Sequence, residues 1–257
     1  MNPPLSDLLE IAKSAAFAAG QILREGAGLR QVNFQDAHDV KLQADVDSER
    51  LIRQRLESAA PGIPIIGEEE GGDASLTTQD RLYWVVDPLD GTANYQRGIP
   101  LCAVSIGLMR GLEPVLGVIY DFNHDDCYAA LADGPLTLNH RVHQPVWAET
   151  ADLAVVCTGF PIGCRPGDAG YRRFFEMSGK FTKIRMLGSA AMGMALVARG
   201  ECDVYFEDGI RLWDIAAGLS LVAAAGGHYR IFEASQRDKP FAHEAWVAGR
   251  AEWLPKP

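Results

Sequence analysis

Trp84-Val85-Val86-Asp87-Pro88-Leu89-Asp90-Gly91-Thr92-Ala93-Asn94-Tyr95-Gln96-Arg97-Gly98-Ile99-Pro100 is the stretch around which this chain is organised. The apolar run over residues 82–86 reads as a buried strand, and it breaks off in Asp87-Pro88-Leu89-Asp90-Gly91-Thr92. Pro88 cannot donate to a sheet ladder, and Gly91 permits a backbone turn that other residues resist. Two carboxylates three residues apart, on a tight turn at a strand end, can converge on one point. Held that close they repel unless positive charge sits between them, and a divalent metal is the usual solution. A strand followed by an acidic surface turn is the competing reading.

Upstream, a short apolar run over residues 63–66 lands on Gly67-Glu68-Glu69-Glu70-Gly71-Gly72. Alone, three acids between glycines fit a solvated loop. Beside the Asp87 turn they favour a shared cation site. Downstream, Gly188-Ser189-Ala190-Ala191 opens a helix expected over residues 189–199. Its N-terminus, free of bulky side chains, could accept an anion, or could simply pack closely. Leu212-Trp213-Asp214-Ile215-Ala216-Ala217-Gly218 places an acid before an apolar helix running to Ala225, where Asp214 reads on its own as an N-cap.

The rest of the chain divides into a mixed first part and an alternating second part. An amphipathic helix is expected over residues 5–26, with Leu8, Ile11, Ala12, Ala15, Ala19, Ile22 and Leu23 at helical spacing. Residues 40–45 read as a short strand or turn, and 46–59 as a second helix stopped by Pro61-Gly62. Strands at 102–109, 114–120 and 127–131 suggest an antiparallel meander, with Asn123-His124-Asp125-Asp126 as one of its turns. Residues 133–150 lack periodicity and are the candidate junction between an N-terminal α+β subdomain, 1–145, and a C-terminal α/β subdomain, 146–257. Beyond it, strands at 153–157, 181–187 and 202–206 alternate with helices at 167–180, 189–199 and 214–225. Strands at 228–232 and 244–248 close the chain.

Composition narrows the function classes. The chain has 257 residues, 47% hydrophobic and 23% charged, which suits a globular protein with a sizeable core. A net charge of −10, with no block of lysine and arginine, argues against nucleic acid as a partner. Cys102, Cys127, Cys157, Cys164 and Cys202 are odd in number and scattered, which favours reduced thiols over disulfides or a zinc site. Met1-Asn2-Pro3-Pro4 does not begin a signal peptide, and no apolar run reaches the ~20 residues of a membrane span. A cytoplasmic protein without membrane attachment is expected. No Gly-x-Ser-x-Gly elbow or P-loop lysine offers a nucleophile or a phosphate cradle.

Three separated motifs stand in order: Gly67-Glu68-Glu69, Asp87-Pro88-Leu89-Asp90-Gly91-Thr92-Ala93-Asn94-Tyr95, and Trp213-Asp214-Ile215-Ala216-Ala217-Gly218. Together the chain resembles the inositol monophosphatase family of magnesium-dependent, lithium-sensitive phosphatases. Thr158-Gly159-Phe160-Pro161 and Gly188-Ser189-Ala190-Ala191 extend the resemblance over most of the chain. It implies a layered α/β/α/β/α sandwich of the α+β class, usually a homodimer, with the site between its halves. By position it makes Glu68, Asp87, the Leu89 carbonyl, Asp90 and Asp214 ligands of two or three Mg²⁺ ions. Thr92 matches the residue that helps orient the attacking water, and Asp45 and Glu69 match supporting acids. Gly188, Ser189 and Ala190 match the lining of the substrate pocket, which Asp90 and Asp214 also border, and Glu207 matches a contact to substrate hydroxyls.

The implied reaction is hydrolysis of a small phosphorylated polyol, with myo-inositol monophosphate first. Histidinol phosphate, fructose 1,6-bisphosphate and 3′-phosphoadenosine 5′-phosphate are rivals, as is an added regulatory binding role. Tyr95, where phenylalanine is usual, Arg97-Gly98-Ile99 in place of His-Gly-Phe, and Arg211-Leu212 depart from the common pattern without removing a ligand.

Overall fold

The structure is a computed structural model that describes residues 3–26, 43–160, 167–234 and 241–256. In chain order its N-terminal elements are α1 (Leu5–Gly26), α2 (Gln43–Ala59), β1 (Ile65–Gly67), β2 (Leu82–Asp90), α3 (Thr92–Arg97), β3 (Ala103–Arg110) and β4 (Glu113–Asp121). Then come β5 (Asp126–Leu131), β6 (Thr137–Leu138), β7 (Arg141–Val142), β8 (Val155–Thr158), α4 (Ala169–Ser178) and β9 (Lys183–Arg185). The chain closes with α5 (Ala190–Arg199), β10 (Val204–Arg211), α6 (Leu212–Ala224), β11 (His228–Glu233) and β12 (Ala242–Ala248). β1 to β7 form one sheet in sequence order, parallel only between β1 and β2. The second sheet runs β11-β12-β10-β8-β9, with β8 parallel to both its neighbours.

Period-2 alternation in β2 explains the layering. Trp84 and Val86 face one way, into a core with Leu8, Ala12, Ile52 and Leu56 of α1 and α2. Tyr83 and Val85 face the other way, into a core built from α5 and α6. That second core also receives Cys157, Tyr205 and Val247 from the second sheet. The far face of the second sheet offers Val156, Val204, Phe206 and Trp246 to Phe174 and Met177 of α4. The layers are therefore helix, sheet, helix, sheet, helix, the α+β sandwich that the resemblance implies. A strand buried on both faces must be apolar throughout, which is why residues 82–86 show no polar alternation.

Helix α6 lies in the middle layer and, apart from Asp214 in its first turn and buried Ser220, is apolar all round, as a helix covered on every side must be. It reaches the first sheet closely because two strand positions there carry no side chain. A Cβ at Gly107 would stand 2.8 Å from Ala216 Cβ, and one at Gly117 would collide with the Ala217 carbonyl. On its other flank Gly218 meets α5, where an added Cβ would sit 2.6 Å from Met194 Cβ. These contacts fix where the start of α6, and with it Asp214, stands over β2.

Several expectations shift. The helix over 5–26 forms with those bounds. α2 begins at Gln43, so the strand or turn expected at 40–45 is helical from 43 onward, and 40–42 lie outside the described residues. Residues 137–142 pair as β6 and β7 and extend the first sheet. Tyr95 is buried, and its hydroxyl donates to the Leu23 carbonyl at 2.6 Å, tying α3 to the last turns of α1. A phenylalanine there would leave that carbonyl without this donor. Among the described residues no helix is long and apolar enough to cross a membrane.

Gly117→Ala is expected to destabilise the chain by about 1–3 kcal/mol through overpacking against α6. The check is the thermal midpoint, which should fall; an unchanged midpoint would show that α6 yields freely.

Candidate active site

The two aspartates of the central stretch do not sit on a turn beyond the strand; β2 continues through them. Asp87 pairs with Ser105 and Asp90 with Ala103, so three steps along β2 match two along β3. That is a bulge. In a regular strand, residues three apart point to opposite faces, and one extra residue brings them to the same face. Pro88 falls inside the bulge, where its missing N–H breaks no ladder bond. Asp87 Oδ1 accepts the Leu89 N–H at 3.0 Å, which folds the bulge over its own side chain. Gly91 follows at φ 89°, a left-handed conformation that glycine adopts without strain, and α3 begins directly after it. Thr92 Oγ1 then donates to the Leu89 carbonyl at 3.1 Å, so that hydroxyl and carbonyl stand side by side.

Asp214 comes to the same place from the far end of the chain. It is the third residue of α6, not the cap, and its Oδ2 accepts the Arg211 N–H at 2.9 Å. The helix starts earlier than the acid suggested because Leu212, fully buried, anchors the first turn. Carboxylate oxygens of Asp87, Asp90 and Asp214 all lie within 4.8 Å of one another, a group that could hold a metal ion. Asp90 is held from α5: Ser189 Oγ donates to it, as do the N–H groups of Ala190 at 3.3 Å and Ala191 at 2.9 Å. The N-terminus expected to attract an anion therefore has one, and it is Asp90.

Glu68 joins this group through a hydrogen bond shared with Asp87. Its loop is shaped by a residue that sequence reasoning missed. Glu49, buried in α2, accepts the N–H of Glu69 at 2.8 Å and of Glu70 at 3.1 Å, and pairs with Arg53 at 2.8 Å. A side chain at position 67 would collide with the Glu49 carboxylate, so Gly67 is required there. In sequence Glu49 and Arg53 look like an ordinary exposed i, i+4 pair, and nothing signals their burial. Asp45 is buried in the first turn of α2, and half-buried Glu69 adds its charge to that acting on Glu68.

Beside the carboxylates lies a cavity of about 260 Å³ bordered by Asp90, Asp214, Gly188, Ser189, Ala190 and Glu207, with Phe160 at its side. Asn94 holds one wall in place: its Nδ2 donates to the carbonyls of Leu101 and Leu187, each at 2.7 Å. Glu207 accepts the Tyr205 hydroxyl at 2.6 Å, and its carboxylate packs against the backbone of Gly159, where no side chain would fit.

Burial dominates the electrostatics. It pushes Asp87 and Asp214 well above the usual carboxylate range, and the neighbouring acids push further. Glu68 rises to about 7, from burial first and then from the charges of Glu69 and Asp90, against the lowering hydrogen bond with Asp87. Asp90 rises to about 6 by burial, partly offset by the bonds from Ser189 and the α5 backbone. Glu207 reaches about 7, again by burial. Among the described residues no lysine or arginine forms an ion pair with Glu68, Asp87, Asp90 or Asp214. Oxygen-only donors with excess negative charge suit a hard divalent cation such as Mg²⁺.

A layered sandwich thus brings an acidic cluster able to hold a divalent cation to the edge of a cavity. Residues 4–252 match the inositol monophosphatase family. The chain is 36% identical over 228 residues to the inositol-1-monophosphatase SuhB of Mycobacterium tuberculosis, covering 84% of this chain and 79% of that one. It is 32% identical over 249 residues to a fructose-1,6-bisphosphatase/inositol-1-monophosphatase of Aquifex aeolicus, covering 95% and 91%. The solved structure of an inositol monophosphatase from Anabaena superposes with a TM-score of 0.81 at 32% identity, covering 97% and 93%. The chain belongs to the inositol monophosphatase family and is a phosphoric monoester hydrolase.

The raised acids set a pH dependence for the metal-free chain. Unfolded carboxylates titrate near pH 4, so between about pH 4 and 7 the folded chain binds more protons than the unfolded one. The stability this confers is complete below about pH 4 and is lost as pH rises through about 6 to 7. Glu68→Gln is close to isosteric and removes a charge that is present at pH 8 and absent at pH 5. It is expected to raise the metal-free thermal midpoint at pH 8, by about 2–4 °C per kcal/mol of repulsion relieved, and by less at pH 5. An equal midpoint for wild type and variant at pH 8 would contradict this.

Proposed function

We propose that the chain is a Mg²⁺-dependent phosphatase of small phosphorylated polyols, with myo-inositol monophosphate as its first substrate. The observation that carries this reading is the position of Glu207, a hydroxyl acceptor in the same cavity as Asp90 and Asp214. The names of relatives that match most of the chain support it. Fructose 1,6-bisphosphate is the second reading, favoured by the double name of the Aquifex relative. Homodimeric assembly and sensitivity to lithium are proposed from family resemblance.

Glu68, Asp87, the Leu89 carbonyl, Asp90 and Asp214 would hold two or three Mg²⁺ ions. When bound, the ions supply Lewis-acid stabilisation of charge on the phosphoryl and leaving oxygens and lower the pKa of water. Thr92, whose hydroxyl is aligned by the Leu89 carbonyl, and Glu68 orient the attacking water. Water adds to phosphorus as the bond to the alcohol oxygen breaks, and the alcohol leaves with a proton. Glu207 accepts hydrogen bonds from hydroxyls of that alcohol and fixes its orientation. Ser189 and the start of α5 hold Asp90 in place.

Phosphate release with Mg²⁺ from inositol, histidinol, fructose and nucleotide esters ranks the substrates. Asp87→Asn or Asp214→Asn is expected to abolish turnover, and near-normal hydrolysis by either variant sinks the mechanism. Glu207→Gln is expected to lower kcat/KM for inositol monophosphate by roughly ten- to hundredfold, the effect of a lost charged hydrogen bond, and for a simple aryl phosphate by much less. Equal losses would mean that Glu207 does not read the polyol.

A further inference from the structure

A carboxylate that reads substrate hydroxyls must be held in one orientation, and two neutral donors hold Glu207. The Tyr205 hydroxyl donates to its Oε2 at 2.6 Å, and the Gly159 N–H donates to the same carboxylate. Strand pairing explains both contacts. Tyr205 of β10 stands beside Cys157 of β8 and Phe206 beside Thr158, which brings Gly159, next in the chain, to Glu207. The Thr158 hydroxyl donates to the Phe206 carbonyl at 2.6 Å and closes the two strand ends. Tyr205 and Glu207 are two residues apart in β10, so they share one face of the sheet. On that face Tyr205 packs into the core built from α5 and α6.

Tyr205 is fixed in turn by α5. Its buried ring lies against Gly193, where an added Cβ would stand 2.8 Å from Tyr205 Cδ2. The same helix holds Asp90 from its start, through Ser189, Ala190 and Ala191. One helix therefore sets both the acidic end of the cavity and, about a turn further on, the ring behind Glu207. Tyr205 also borders the cavity. Burial, and then the charge of Glu207, push its hydroxyl well above the ordinary tyrosine pKa, so it keeps its proton and remains a donor. A carboxylate has about four acceptor positions, so two donors from the protein leave room for hydroxyls of a substrate. We infer that Tyr205 is a positioning residue for polyol recognition, its hydroxyl holding Glu207 so that the free acceptor positions face the cavity. The inference rests on the reading of Glu207 as the hydroxyl contact and adds the residue that enforces it.

The test is a double-mutant cycle on kcat/KM with Mg²⁺, in wild type, Tyr205→Phe, Glu207→Gln and the double variant. The esters are inositol monophosphate and phenyl phosphate, whose alcohol carries no further hydroxyl. Phenylalanine keeps the ring against Gly193 and removes only the donor. Tyr205→Phe is expected to lower the ratio of inositol monophosphate to phenyl phosphate by about three- to tenfold, the share of one buried hydrogen bond. The loss falls chiefly on KM, because the Tyr205 hydroxyl touches no reacting atom. In the Glu207→Gln background the same change is expected to move the ratio by less than about twofold, since Tyr205 acts through Glu207. An equal loss in both backgrounds means that Tyr205 contacts substrate on its own, which overturns the inference. A ratio that Tyr205→Phe leaves unchanged, even where both esters are hydrolysed more slowly, marks a structural role only and also overturns it, while sparing the reading of Glu207. If Glu207→Gln leaves the wild-type ratio, that reading fails and the inference with it. Release of phosphate from neither ester by wild type overturns the phosphatase reading as well.

Discussion

Like charge brought together away from water is the constraint on which this structure turns. Asp87, Asp90 and Asp214 have oxygens within 4.8 Å of one another, and Asp87 and Asp90 are almost fully buried. If ionised, each pair at that separation repels by about 3–4 kcal/mol at an effective dielectric of about 20. A fold does not gather such groups for stability, because stability would be served better by separating them. The raised pKa values show the metal-free chain relieving the strain with protons, and a divalent cation would relieve it with charge.

Much of the surrounding architecture serves to hold that arrangement. The bulge in β2 turns two acids to one side, and Gly91 lets α3 begin at once, which sets Thr92 against the Leu89 carbonyl. Gly107 and Gly117 let α6 lie close on the first sheet, and that contact decides where Asp214 stands. Helix α5 points its free N–H groups at Asp90, while Glu49 grips the loop that carries Glu68. Contributions from the first sheet, from the helix layer outside it and from the layer between the sheets thus meet at one charge cluster.

The chemistry was more legible in sequence than the geometry that enables it. Apolar periodicity marked α1 to its ends, and the glycine- and proline-flanked acids marked the segments that the structure brings together. The bulge was not legible, because a strand interrupted by proline looks like a strand that stops. Asp214 read as a cap because one acid before an apolar run carries no sign of the buried leucine that starts the helix earlier. Glu49 and the close approach at Gly117 were hidden for a shared reason: each depends on a partner far away in the chain. The rings of Tyr171 and Phe174 meet Phe160 only once α4 packs on the second sheet.

Calorimetric titration of Mg²⁺ into the metal-free chain, in two buffers of different ionisation enthalpy, tests the central claim most directly because it counts the protons that metal displaces. If buried carboxylates hold protons in place of metal, binding at pH 6.5 releases about one proton or more per chain, and the release falls as pH rises through the range in which Asp90 and Glu68 ionise. Binding at pH 6.5 with no proton release, or no binding at all, would contradict the account.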